Sequence, residues 1–129
     1  MNTTICKTFT AKLTIGLVRG YSKNRIPVTE FKIALLKAQV RIKAQYKIEL
    51  SAKAKRCEIL FLGQSEPSVE LQFIQYPKFP QEESSLKRAI IALTELIMIN
   101  LEQNRVVIVF TDETLMVEQS DAIDPKIQL

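Results

Sequence analysis

From Thr8 to Arg19 the chain alternates, with Phe9, Ala11, Leu13, Ile15 and Leu17 on one side and Thr8, Thr10, Lys12 and Thr14 on the other. A period of two is that of a strand with one buried face. The pattern changes after the polar loop Gly20–Arg25 and Pro27. Thr29 offers an oxygen for a helix N-cap and Glu30 suits the positive end of a helix dipole. From Phe31 to Gln45 there is neither Gly nor Pro, and the spacing predicts a helix with two apolar stripes. Phe31, Ala34, Leu35, Ala38 and Ile42 form one stripe; Ile33, Leu36, Val40 and Ala44 form the other. A helix lying on a single core needs only one such stripe, so the second points to another subunit or element.

Lys47–Leu50 has the composition of a short strand, and Arg56–Leu62 that of a longer one ended by Gly63. Val69, Leu71 and Phe73 alternate with Glu70, Gln72 and Ile74, giving a further strand after Pro67. Pro77 and Pro80 force an extended connection. A second helix follows, with Glu82 and Glu83 in its first turn and a wide apolar arc: Leu86, Ala89, Ile90, Leu93, Leu96, Ile97 and Leu101. Ile91, Met98 and Ile99 widen that arc until only Arg88, Glu95 and Glu102 remain as a polar stripe, so burial on almost all sides is expected. Arg105–Phe110, with continuous β-branched residues at Val106–Val109, is read as a strand covered on both faces. Leu115–Val117 reads as a short edge strand. The order is β-α-β-β-α-β, each half reading strand, helix, strand, and the expected fold is an α+β two-layer sandwich. Residues 1–120 form one domain in this reading and 121–129 a loose or partner-docked tail.

Composition changes the picture in two places. There is no histidine among the 129 residues, so Ser-His and Cys-His nucleophiles, imidazole bases and His metal sites are excluded. No metal or cofactor is expected, and Cys6 and Cys57 read as reduced thiols, Cys57 as a small core residue. Residues 1–60 carry a formal charge of +10 and residues 61–129 one of −6, which the net +4 conceals. A basic half permits nucleic-acid binding, but no nucleic-acid motif accompanies it, and facing of unlike halves within or between subunits is the simpler reading. No apolar run reaches the about 18 residues a membrane span needs, and the amino end lacks a signal-type apolar core, so a cytoplasmic location is expected.

The stretch G-Q-S-E-P at Gly63–Pro67, the alternating strand and apolar helix after it, and N-R-V-V-I-V-F-T-D at Asn104–Asp112 resemble the second half of tautomerases of the macrophage migration inhibitory factor type. The resemblance covers about a third of the chain. It implies a trimer whose sheets enclose a central barrel, which suits the two-striped helix. The family's base is an amino-terminal proline; here position 2 is Asn2 and the first proline is Pro27, so no catalytic residue carries over. A ferredoxin-like pairing of the same elements fits the sequence almost as well.

Candidate ligand contacts are Lys12, the basic aromatic loop residues Tyr21 and Arg25, and Tyr76 and Phe79 between the prolines. Glu66, Glu70, Asp112 and Glu113 are candidates for an acidic cluster, although acids at strand ends are usually only solvated. The expected function is self-association, as a trimer, with a non-enzymatic role in assembly or small-ligand binding. The alternatives are a divergent enzyme using Lys12, Tyr76 or the acids, and a nucleic-acid-associated module.

Overall fold

In the computed structural model, which describes residues 1–125, the strand expected at Thr8–Arg19 is β1, Thr10–Gly16. It is followed by α1 (Val28–Tyr46), β2 (Lys53–Phe61), β3 (Gln64–Ile74), α2 (Glu83–Asn100), β4 (Arg105–Phe110) and β5 (Thr114–Glu118). Among the described residues the sheet has five strands in the order β2-β3-β1-β4-β5, every pair antiparallel. β1 and β2 therefore run parallel with β3 between them, and β3 and β4 run parallel with β1 between them. These are two interleaved split β-α-β units, the ferredoxin-like of the two pairings the sequence left open, with β5 added at one edge.

Both helices lie on one face, completing the two-layer α+β sandwich. Ala11, Leu13 and Ile15 of β1, Val69, Leu71 and Phe73 of β3, and Val106, Ile108 and Phe110 of β4 meet them in one core. The helices contribute Phe31, Ala34, Ala38 and Ile42 from α1 and Leu86, Ala89, Ile90, Leu93 and Ile97 from α2. Phe9, just ahead of β1, is also buried and its ring lies 6.2 Å from that of Phe110.

Several expectations are corrected. The other face of the sheet is open, so β4 is covered on one side only: Val106, Ile108 and Phe110 are buried, while Val107 and Val109 are 43% and 48% exposed. A run of β-branched residues does not reveal which alternate positions find a cover. α2 likewise buries one broad face and leaves Ile99 exposed. Lys47–Leu50 is not a strand; Lys47 takes the left-handed conformation that ends α1, and Ile48 and Leu50 anchor the connection in the core. Thr29 is not the N-cap, because α1 begins one residue earlier behind extended Pro27. β3 starts ahead of the expected Val69 and runs through Pro67, which pairs with Glu58 near the end of the hairpin. Cys6 and Cys57 are both free; Cys57 pairs with Ser68 in the sheet and is half-buried there, not a core residue. No helix among the described residues is long and apolar enough to cross a membrane.

The tail expected from 121 is fastened as far as Ala122, whose carbonyl accepts from Tyr21 Oη, Asn104 Nδ2 and Arg105. Its last four residues lie outside the described residues.

Candidate functional site

Because successive side chains of a strand point to opposite faces, the register places Lys12, Thr14 and Gly16 of β1 on the open face. Beside them stand Gln72, Glu70 and Ser68 of β3, directly paired in that order. Lys12 also pairs with Val109, and Val109 with Thr114, while Val107 pairs with Met116. The open face thus carries a polar centre of Lys12, Thr14, Glu70 and Gln72, flanked by Val107, Val109 and Met116 on one side and by Lys53 and Lys55 of β2 on the other.

At the Gly16 end the surface becomes a small polar recess. Ser68 is buried and donates to the Glu66 carbonyl at 3.2 Å. Buried Gln103 donates through Nε2 to the carbonyls of Val18 (2.7 Å) and Leu101 (3.1 Å). The Glu66 carboxylate lies directly over the Gly16 backbone: a Cβ there would sit inside contact distance of Oε1, with Cδ at 3.1 Å and Gln103 Oε1 at 3.3 Å. Only glycine leaves room for the carboxylate in this position, and Gly16 needs no left-handed backbone to do so. Gly16→Ala is expected to push the Glu66 carboxylate aside without unfolding the chain, because that carboxylate ends a flexible side chain. Its urea midpoint should correspond to a change within about 1 kcal/mol. A loss of about 3 kcal/mol or more would mean that Glu66 is locked in place.

Beyond this recess β2 and the start of β3 project as a hairpin arm. No residue of β2 is buried, and Ile59, Leu60, Phe61 and Leu62 stand exposed towards its tip. The turn is Leu62-Gly63, both with positive φ (46° and 80°), as a two-residue type I′ hairpin demands.

The five candidate residues do not converge. Lys12 lies in the open face. Tyr21 and Arg25 are at the opposite end of β1 from Phe9, where Tyr21 fastens Ala122 and accepts from Asn104, and Arg25 bridges Val18. Arg19, just ahead of that loop, is paired with Glu30 and Glu102. Tyr76 and Phe79 sit at the other end of the sheet and line a groove of about 950 Å³ between α1, the connection 47–51 and the loop after β3.

The four candidate acids disperse as well, and no group of His, Cys, Asp and Glu among the described residues is placed to hold a metal. Asp112 and Glu113 bind Lys87 Nζ at 2.8 and 3.1 Å, and that ammonium also stands 5.3 Å from the centre of the Phe110 ring. The hydrogen bond from Lys87 holds the Asp112 carboxyl below its ordinary value, and the two acids raise Lys87. Arg105, hydrogen-bonded through Nε to Glu118 at 2.6 Å, is raised by that partner. These are structural ion pairs fastening the β4–β5 hairpin.

Sequence reasoning missed the Gly16–Glu66–Gln103 recess. A glycine ending an alternating strand was its only trace, and nothing local ties it to a glutamate fifty residues later.

Among the solved structures that resemble this fold are two of phage SAM lyases. One is a phage SAM lyase in complex with S-methyl-5'-thioadenosine, with a TM-score of 0.67 and 16% identity over 95% of this chain and 98% of that one. The other is a phage SAM lyase in the apo state, with a TM-score of 0.63 and 17% identity over 89% and 91%. No family model and no curated protein matches the sequence. At such identity the likeness concerns the fold.

Proposed function

We propose that this chain binds S-adenosylmethionine on the open face of its sheet and cleaves it to S-methyl-5'-thioadenosine. The observation that carries this reading is the fold likeness to phage SAM lyases over nearly the full length of both chains. The chemistry asks little of a protein without histidine. When the bond between sulfur and the γ-carbon of the methionyl part breaks, sulfur keeps the electron pair and leaves as a neutral thioether. The four-carbon fragment balances the charge by closing through its own carboxylate or by losing a proton. The positive charge on sulfur fades as the bond breaks, so the transition state is favoured by weakly polar surroundings at that atom. Val107 and Val109 offer such surroundings. Lys12, paired with Val109, suits the substrate carboxylate, and Glu70, one row along, suits its ammonium group.

We also infer that copies of the chain associate, with a trimer as the form to test. Support comes from apolar surface left open on the single chain. Ile33 and Leu36 of the second α1 stripe are 54% and 59% exposed, and the arm tip and the Val107–Met116 side of the sheet are open too.

Incubation with S-adenosylmethionine, followed by chromatography of the nucleosides, tests the reaction. S-methyl-5'-thioadenosine is expected to accumulate as substrate disappears. Lys12→Gln and Glu70→Gln should each lower kcat/KM by about tenfold or more, the effect of losing one hydrogen bond to a charged group. Stabilisation of the protein by S-methyl-5'-thioadenosine without turnover would favour the second reading, a non-enzymatic ligand-binding assembly. Neither turnover nor stabilisation would remove both.

A further inference from the structure

The groove containing Tyr76 and Phe79 has no part in the reaction proposed above, yet its construction is that of a site. Its floor is buried and apolar: Leu50, Phe73, Leu86 and Ile90. Its walls are tied together by side-chain hydrogen bonds. Gln39 Nε2 donates to the Leu50 carbonyl at 2.8 Å, fixing the connection 47–51 against α1. Ser51 Oγ donates to Tyr76 Oη at 3.0 Å, and the Gln75 side chain both donates to the Gln81 carbonyl (2.7 Å) and accepts from its N–H (2.9 Å). The loop carrying Phe79 is therefore tied across its base, while Val40, Ile74, Tyr76 and Phe79 present apolar surface to the groove.

One end is cationic. Lys43 and Lys47 both line the groove, and Lys43 Nζ binds the carboxylate of Glu49, itself a lining residue, at 3.0 Å. Both members of that pair are largely exposed, so it is weak and readily exchanged. The chain thus places one of its own carboxylates where an anionic head would sit, above an apolar floor.

We propose that this groove binds an amphipathic carboxylate. Its carboxylate takes the place of Glu49 on Lys43, with Lys47 beside it, and its apolar body lies along Val40, Ile74 and Phe79. The volume of about 950 Å³ accommodates a medium-length acyl chain. Glu49 is then an internal competitor, and that gives the proposal its sharpest consequence.

Calorimetric titration of the full chain with decanoate, with decanol and decyltrimethylammonium as neutral and cationic counterparts, tests it. Decanoate is expected to bind, decanol about fivefold more weakly, and the cation not at all. Lys43→Gln should weaken decanoate about fivefold, and Glu49→Gln should tighten it about threefold, the scale of an exposed charge pair. Equal binding of decanoate and decanol, or no gain from Glu49→Gln, would overturn the carboxylate assignment. Absence of decanoate binding would overturn the site. If Val40→Asp changes the sedimentation of the ligand-free protein, the groove is covered by a second copy and the proposal falls.

Discussion

Leu71→Ala is expected to destabilise the chain by about 3 kcal/mol, read as a fall in urea midpoint at unchanged slope. Leu71 is fully buried at the middle of β3, paired with Leu13 on one side and with Ala54 on the other. Truncation removes three packed carbons from between the sheet and the two helices, and neighbours fixed in strand register cannot collapse into the space. For a domain with stability on the order of 5–15 kcal/mol this is a large fraction of the total. Ile33→Ser is the comparison: Ile33 is as apolar as Leu71 but 54% exposed on α1. In dilute, dissociated protein its effect should stay within about 0.5 kcal/mol. Similar losses at the two positions would mean that Ile33 is covered even in the single chain.

The second large effect concerns the arm. Leu62 holds a left-handed backbone (φ 46°) at the tip of the β2–β3 hairpin with its side chain 86% exposed. A β-carbon makes that conformation unfavourable by about 1–2 kcal/mol, and asparagine tolerates it better while matching the turn. A leucine here therefore carries a conformational cost that no contact within its own chain offsets. In the association proposed above, contact with a second copy would supply the reason, and Val107, Val109 and Met116 on the open face provide apolar surface of matching character. Leu62→Asn should raise the stability of the dissociated chain by about 1 kcal/mol and weaken association at least tenfold, seen as a shift to smaller species in sedimentation. The opposite signs make the test discriminating. Unchanged sedimentation would remove the arm from any interface.

Much of the architecture was legible because it depends on local period. The alternation through Phe9–Leu17 specified β1 and its buried face, and the 3.6-residue spacing of Phe31, Ala34, Ala38 and Ile42 specified the covered side of α1. The second α1 stripe was legible as well, and it is the stripe that stands exposed. Where alternation was masked, as in Val106–Phe110, every position was apolar and the sequence had no means of saying which residues were covered. Pro67 read as a strand boundary, yet the hairpin carries it inside β3 opposite Glu58.

The candidate site was far less legible. Lys12 was visible as a charged residue in the middle of an alternating strand, but its neighbours Glu70, Gln72 and Val109 come from register across three strands. Tyr21 and Tyr76 looked alike in sequence, each an aromatic beside polar or proline residues. The fold places them at opposite ends of the sheet, one fastening Ala122 and the other lining a groove.

The amino-acid sequence determined the order of elements, the helix-facing sides of β1 and β3, and the absence of imidazole chemistry, since each follows from residue type and short-range period. Only the tertiary structure decided the antiparallel order β2-β3-β1-β4-β5, the open face, and the seating of Glu66 over Gly16. Those depend on which strands pair and in what register, and the energies that select them come from contacts between residues far apart in the chain.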